Sequence, residues 1–131
     1  MKIQIFTRDQ AEEMLSKNFK AGEFFCRCGQ CKNQLIDLDH IARLQDYREI
    51  LGVPLRINCG FRCEKHNAEV NPNAAFTTEQ HPKGSATDVS SEKSIDEMIK
   101  IAELCNFKGI GRYNTFVHVD SRQGDKARWR M

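Results

Sequence analysis

The sequence predicts an α+β domain, with a small, mostly antiparallel sheet and helices packed on one of its faces. Two long segments carry apolar residues at helical spacing, and three short segments have the residue types of strands. The helices are interleaved with strands that come late in the chain, an order typical of this class. A length of 131 residues suits one domain with one modest core. We therefore expect a single domain over 1–131, with an N-terminal helix and cysteine-containing loop over 1–34 and a core over 35–131.

Two helices are predicted in the first half of the chain. Thr7 and Gln10 have the spacing of a capping box, which predicts a short helix over about 8–17. After Asp37, apolar side chains recur at three- and four-residue steps and predict a longer helix. Gly52, with a proline shortly after it, is a signal that ends this helix.

The second half of the chain is predicted to alternate between short strands and helices. Ser94 and Glu97 form another capping-box pattern, and the apolar positions behind them continue on one helix face as far as Cys105. We expect a helical turn or two over 63–70 and an irregular stretch over 71–83. Strands are predicted over 55–58, 85–90 and 116–120, with a turn of the chain over 108–111 and a polar tail after Ser121.

Composition and charge give no pattern of nucleic-acid or membrane proteins. The chain is 40% hydrophobic and 29% charged, and its net charge of +2 is spread along the sequence. No apolar run approaches the roughly 20 residues of a membrane span. The opening six residues are too short, and too soon followed by Arg8 and Asp9, to form a signal peptide. We therefore expect a monomer without a membrane span or nucleic-acid partner, synthesised in the cytoplasm.

Two segments carry histidine and carboxylate residues in a pattern that fits a metal site. His81 and Asp88 flank a stretch of small residues with Gly84, and His118 and Asp120 alternate along a predicted strand. Because side chains alternate across a strand, we expect Asp88, His118 and Asp120 on one face and the valines between them on the other. Two imidazoles, a carboxylate and a water complete a tetrahedral zinc with an open position. The alternative from spacing alone is a set of ordinary surface polar groups.

Three ordered motifs resemble a known peptidase family. They are Gly60-Phe61-Arg62-Cys63-Glu64-Lys65-His66-Asn67, then Gln80-His81-x-x-Gly84-x-Ala86-x-Asp88, then Gly109-Ile110-Gly111-x-Tyr113-x-x-Phe116-Val117-His118-Val119-Asp120. Together they resemble the zinc D-alanyl-D-alanine carboxypeptidase family, which includes phage endolysins that cut L-alanyl-D-glutamate bonds. The fold of that family is shared with the signalling domain of hedgehog proteins. The resemblance covers most of the chain over 35–120.

The resemblance implies that His81, Asp88 and His118 bind a catalytic Zn²⁺. It also implies that Arg62 contacts either the substrate's carboxylate or its scissile carbonyl. A guanidinium suits both, because its planar fork grips a carboxylate and its charge offsets a developing oxyanion.

The family also uses a carboxylate as general base, in many members a few positions before the last histidine. Residues 115–117 carry no carboxylate, and residue 112 is an arginine. Asp120, two positions after His118 and on the same strand face, is therefore the candidate for the base.

Other residues near the motifs are expected to shape the substrate site. Asn67 and His66 follow the arginine turn, and we expect them to shape the pocket rather than bind metal. Tyr113 precedes the site strand, where it either lines the substrate groove or serves as a strand-edge aromatic. His40 lies among polar residues near a helix start and is expected to be solvated. Trp129 is expected to cover part of the sheet.

The six cysteines are interpreted as metal ligands or buried thiols, because nothing in the sequence predicts export. Cys26-x-Cys28-x-x-Cys31 has the spacing of thiolate ligands, and Cys63 supplies a candidate fourth. This set predicts a second, structural Zn²⁺. The alternatives are reduced thiols packed in a loop and a disulfide form. Two further cysteines are expected to be ordinary packing residues, Cys59 as a small buried residue and Cys105 on an apolar helix face.

These predictions combine into a zinc metallopeptidase that cleaves peptidoglycan stem peptides through zinc-activated water. Carboxypeptidase and endopeptidase activities remain open alternatives, because Arg62 serves either. A different class of function is a non-catalytic, zinc-containing binding module on the same fold, and a third is a zinc-ribbon adaptor that uses the cysteines of 26–31. The expected absence of an export signal suits a phage endolysin released by other means to act on the cell wall, and also a cytoplasmic dipeptidase.

Overall fold

The structure, a computed structural model, describes residues 1–72 and 79–131 and confirms the predicted α+β class. Its elements within those residues are the strands β1 (Ile3–Phe6), β2 (Gln34–Asp37), β3 (Arg56–Cys59), β4 (Ala86–Ser90), β5 (Gly109–Arg112), β6 (Val117–Asp120) and β7 (Ala127–Arg130), and the helices α1 (Leu38–Leu51), α2 (Glu64–Val70) and α3 (Ile95–Leu104). None of the helices in the described ranges is long and apolar enough to cross a bilayer.

The main sheet has five strands in the order β3-β4-β6-β5-β7. Its pairs are antiparallel except for β5 and β7, which run parallel. In the β4–β6 pair, Asp88 lies directly opposite His118, and Ala86 lies opposite Asp120. This register brings the two predicted site strands side by side. The strands β1 and β2 form a separate antiparallel pair.

The core lies between the valine face of the main sheet and the helices. Val89, Val117 and Val119 are fully buried and belong to one hydrophobic cluster with Met98 and Ala102 of α3. Full burial of an apolar side chain of this size stabilises the fold by about 1.5–3 kcal/mol relative to leaving it exposed. The opposite face of the same strands is thereby left for polar residues, as the alternation predicted.

The two longest helices begin and end where their capping signals predict. The Asp37 side chain accepts a hydrogen bond from the Asp39 backbone N–H at 3.1 Å, and Gly52 ends α1 with a φ of 79°. The Ser94 side chain accepts from the Glu97 N–H at 3.1 Å at the start of α3. These local contacts satisfy backbone groups that a helix end leaves without partners.

The predicted helix over 8–17 is wrong. The capping contacts at Thr7 start only one 3₁₀ turn, Arg8–Gln10, after which the chain folds back on itself. The Ala21 N–H bonds to the Glu13 carbonyl at 2.8 Å, so the predicted helix backbone is paired with a later segment instead. Burying Phe19, which is 1% exposed, while leaving Met14 55% exposed, outweighs the local helix signal.

The predicted turn over 108–111 is also wrong, because this stretch forms most of strand β5, which lies between β6 and β7. Its glycines serve close packing. A side chain at Gly109 would overlap the carboxylate of Asp120, and one at Gly111 would stand 2.5 Å from the Trp129 indole. The polar tail is likewise ordered as β7, where it covers this edge of the sheet. Of the irregular stretch predicted over 71–83, residues 73–78 lie outside the described part of the chain.

His40 is buried and not solvated, which corrects the sequence prediction. Its Nδ1 lies 2.7 Å from the Ser121 hydroxyl and its Nε2 lies 2.6 Å from the Thr87 hydroxyl. Burial lowers the pKa of His40 to about 4, against the opposing charges of Asp37 and Asp120. The neutral ring therefore ties α1 to β4 and to the segment that follows β6.

Acidification should destabilise the fold through His40. Between pH 6.5 and 4, the unfolded chain takes up a proton at His40 that the folded chain excludes. The free energy of unfolding therefore decreases as the pH is lowered through this window. We expect the difference in unfolding free energy between the wild-type protein and H40Q to decrease by roughly 3 kcal/mol from pH 7.5 to 4. Urea unfolding at several pH values measures it. A pH-independent difference would contradict a neutral buried His40.

Candidate active site

His81, Asp88 and His118 converge on the polar face of the main sheet. His81 Nε2 lies 3.3 Å from Asp88 Oδ1, and His118 Nδ1 lies 3.0 Å from the same oxygen. The two rings meet edge to face with centroids 5.1 Å apart. Asp88 and His118 come from paired strands, while His81 stands in a 3₁₀ turn that Gly84 ends at a φ of 77°. The three predicted ligands are therefore brought together.

In each ring, the nitrogen that does not contact Asp88, the outer nitrogen, has its own hydrogen-bond partner. His81 Nδ1 donates to the Gly60 carbonyl at 2.8 Å, and His118 Nε2 donates to the Asp120 carboxylate at 2.7 Å. In a neutral imidazole the remaining nitrogen carries a lone pair. His81 Nε2 and His118 Nδ1 would then aim lone pairs at the same carboxylate oxygen, an arrangement that only a proton or a metal cation satisfies. The donor set of two imidazole nitrogens and one carboxylate oxygen is one that zinc uses.

The electrostatics of the cluster favour positive charge at its centre. Burial opposes a charged ring, but Asp88 and the nearby Cys59 thiol raise the pKa of His81 to about 10. Burial alone would raise the pKa of the Asp88 carboxyl, but contacts with His118 and His81 hold it well below its ordinary value. The carboxylate therefore stays ionised and available as a ligand. Cys59 Sγ lies 3.7 Å from His81 Nδ1, and potential ligand atoms, one each from Cys59, His81 and Asp88, lie within 4.8 Å of one another.

Asp120 lies behind His118 and away from the cleft. It is 0% exposed, and the Arg122 guanidinium holds it in two contacts of 2.9 and 2.7 Å. Burial favours its neutral form, but Arg122 and His118 keep the pKa of Asp120 well below the usual range. A carboxylate that accepts the outer N–H of a metal-binding histidine fixes the tautomer and orientation of that ring. Arg122, two residues after Asp120, was not singled out from the sequence.

An open cleft of about 510 Å³ lies over the three converging residues. Arg62 lines it, and the buried Nε of Arg62 has no hydrogen-bond partner among the residues that the structure describes. Tyr113 also lines the cleft, stacked on Phe116 with centroids 4.3 Å apart. Both residues therefore line the same cleft as the three converging residues, and their contact with a substrate stays a prediction. The lining as described comprises Arg62, Val70, Asn71, Glu79, His81, Asp88, Tyr113, Phe116, His118, Trp129 and Met131.

Glu79 is a cleft residue that the sequence analysis did not single out. It lies one residue before the Gln80-His81 motif, and the Asn71 side chain donates to its carboxylate. The charge of Glu79 also acts on Arg122, whose pKa is raised mainly by its bond to Asp120. Its position two residues before His81, a predicted metal ligand, was the signal available in the sequence.

Of the other residues predicted near the site, Trp129 lines the cleft, whereas Asn67 and His66 are not part of its described lining. Asn67 is buried on α2 and does not belong to the described lining, although its Oδ1 has no partner within the described residues. His66 faces Glu69 at 3.8 Å and lines a separate cavity with Cys28, Cys31 and Cys63. Trp129 packs 4.9 Å from the His118 ring and donates from its indole N–H to the Tyr113 hydroxyl at 3.1 Å. It therefore covers the sheet where His118 emerges.

The cysteines fall into three settings, and none of the six is in a disulfide. Sulfur atoms of four of them lie within 4.8 Å of one another, namely Cys26, Cys28, Cys31 and Cys63. Cys59 is half-buried beside His81, and Cys105 packs against the hydrophobic core. The structure thus gathers the four cysteines that the sequence grouped.

Comparison with known proteins identifies a family but no individual curated relative. A search of curated proteins finds no match. The family model described as Peptidase M15 matches residues 17–120, well over half of the chain, and this range includes the converging histidines and aspartate. The chain therefore belongs to the Peptidase M15 family.

Proposed function

We propose that this protein is a zinc-dependent peptidase that hydrolyses stem peptides of bacterial peptidoglycan. Membership of the Peptidase M15 family makes it a peptidase with a peptide substrate. The observation that carries the zinc assignment is the meeting of His81 Nε2 and His118 Nδ1 on one oxygen of Asp88. The outer nitrogens are both committed as donors, so the inner ones face a position suited to a cation.

Zinc fits this site because the three residues supply the ligand number of a catalytic centre. Catalytic zinc sites keep three protein ligands and leave a position for water or substrate. A zinc ion bound here would supply Lewis-acid polarisation of the peptide carbonyl and a lowered pKa for its water. Asp120 would hold His118 in the tautomer that presents Nδ1, and Gly60 would do the same for His81 Nε2.

Arg62 is the residue proposed to bind the substrate's negative charge. Its side chain lines the cleft that contains His81 and Asp88, and its Nε carries an unpaired donor within the described residues. A buried donor without a partner costs about 1–3 kcal/mol. A substrate carboxylate or a developing oxyanion would recover that cost, and the planar guanidinium can bind either in two contacts.

Glu79 is a better-placed proton acceptor than Asp120, the candidate from the sequence. Asp120 has no exposure to the cleft, and its oxygens are occupied by Arg122 and His118. A carboxylate with so low a pKa is a weak base. Glu79 lines the cleft with the three proposed ligands. We assign Glu79 to take the proton from the attacking water and return it to the leaving amine, and Asp120 to position His118.

The direct test is hydrolysis of defined cell-wall peptides with and without a chelator. Purified, zinc-loaded protein is given a soluble pentapeptide ending in D-Ala-D-Ala and, separately, intact sacculi, and the products are identified by mass spectrometry. Release of terminal D-alanine indicates a carboxypeptidase, and cleavage after L-alanine indicates an endopeptidase. Chelation should remove the activity, and added zinc should restore it. Binding of the peptides without any cleavage would instead support a non-catalytic module.

A further inference from the structure

We propose that Cys26, Cys28, Cys31 and Cys63 bind a second zinc ion that serves as a structural clip. All four sulfur atoms lie within 4.8 Å of one another, and Cys28 and Cys63 Sγ are 4.0 Å apart. Sulfurs around a tetrahedral zinc with bonds of about 2.3 Å stand about 3.8 Å apart. Small side-chain adjustments would therefore close the set around one ion. A disulfide requires sulfurs at about 2.05 Å, which the Cys28–Cys63 pair does not approach.

Each of the four sulfur atoms receives an N–H group, the environment of thiolate ligands. The Cys63 N–H points at Cys26 Sγ at 3.4 Å, and the His66 N–H points at Cys63 Sγ at 3.4 Å. The Cys31 N–H reaches Cys28 Sγ at 3.4 Å, and the Gln34 side-chain amide reaches Cys31 Sγ at 3.3 Å. Donors aimed at sulfur stabilise its negative form.

A half-buried arginine partly balances the negative charge that four thiolates and one zinc would carry. The Arg8 guanidinium lies 3.4 Å from Cys31 Sγ and 3.9 Å from Cys28 Sγ, and its Nε donates to the Cys31 carbonyl at 2.7 Å. Four thiolates around Zn²⁺ leave a net charge of −2, which Arg8 reduces. Four protein ligands also leave no open coordination position, so this zinc would be structural and not catalytic.

The clip would join the N-terminal loop to the turn that carries Arg62. Cys63 directly follows Arg62, while its three partners lie in the loop before β2. The same junction is tightened by the Phe61 N–H, which bonds to the Phe24 carbonyl at 2.8 Å, and by Gly60, which packs on the Phe24 backbone. Because tetrathiolate zinc binding contributes directly to folding, we infer that the ion fixes the position of the arginine turn.

Metal stoichiometry in matched variants tests the clip without reference to peptidase activity. We expect two zinc ions per chain in the native protein, one in the double variant C28S/C31S, and two in the control C105S. The double variant H81A/H118A should retain one zinc, and after replacement with Co²⁺ should show sulfur-to-cobalt charge-transfer absorption. Loss of all metal from H81A/H118A, or cobalt spectra without sulfur ligation, would overturn the proposal.

Alkylation of the native protein keeps the test independent of variant folding. With zinc bound, the four clip cysteines should resist a thiol-alkylating reagent that modifies Cys105, and a chelator should expose all four together. Equal modification of the clip cysteines with and without chelator would contradict a shared metal. The proposed peptidase could fail while these results hold, because they depend only on the thiolates.

Discussion

Replacing His118 with alanine is expected to abolish both zinc binding at the catalytic site and peptide hydrolysis. The substitution removes one of the three proposed ligands and also leaves the buried Asp120 carboxylate without its imidazole partner. Loss of residues that only orient a ligand typically costs 10–100-fold in metal affinity, so loss of the ligand itself should cost more than about 100-fold. Competition with a chromogenic chelator measures the affinity, and peptide cleavage measures the activity.

A matched control distinguishes this effect from general damage to the protein. His66 lies outside the converging set and outside the described lining of the cleft, and H66Q should keep both the zinc affinity of the His81–Asp88–His118 site and the rate of cleavage. Circular dichroism and thermal unfolding in the presence of zinc report whether H118A keeps its fold. A folded H118A with normal zinc affinity and normal cleavage would remove His118 from the site.

Replacing Glu79 with glutamine is expected to slow hydrolysis by roughly 100- to 10,000-fold while the zinc remains bound. Glutamine preserves the size of the side chain and its contact with Asn71, but it cannot accept a proton at neutral pH. The loss should therefore fall on kcat, with little change in KM. Steady-state kinetics together with metal analysis separate this outcome from loss of the site.

The companion variant D120N should behave differently. Because Asp120 accepts the outer N–H of His118, we expect a 10–100-fold loss of zinc affinity, and added zinc should restore much of the activity. If D120N instead keeps its zinc and loses turnover, while E79Q retains full activity, Asp120 is the proton acceptor and the assignment of Glu79 is contradicted.

The strands β3, β4 and β6, and the shared face of Asp88 and His118, were accessible from the sequence because strand alternation is a local rule. It predicted that Asp88 and His118 share a face, and the register of β4 and β6 places them opposite each other. Capping side chains similarly set the limits of α1 and α3. The cysteine spacing indicated one cluster, and the fold gathers all four of its members.

Features that depend on distant contacts were not accessible in the same way. The capping pattern at Thr7 predicted a helix, but burial of Phe19 and pairing with a later segment override it. The glycines of β5 resembled a turn because their purpose, room for Asp120 and Trp129, lies on other strands. His40 had polar neighbours in sequence, yet its contacts come from Thr87 and Ser121. The position of Glu79 in the cleft likewise depends on the completed fold.

The most direct test of the catalytic site is a crystal structure of the zinc-loaded protein with anomalous diffraction measured at the zinc edge. We predict an anomalous peak about 2.0–2.2 Å from His81 Nε2, an Asp88 carboxylate oxygen and His118 Nδ1, with a fourth position open to solvent. No peak among these three atoms, or a zinc bound there through Cys59 in place of His118, would contradict the account.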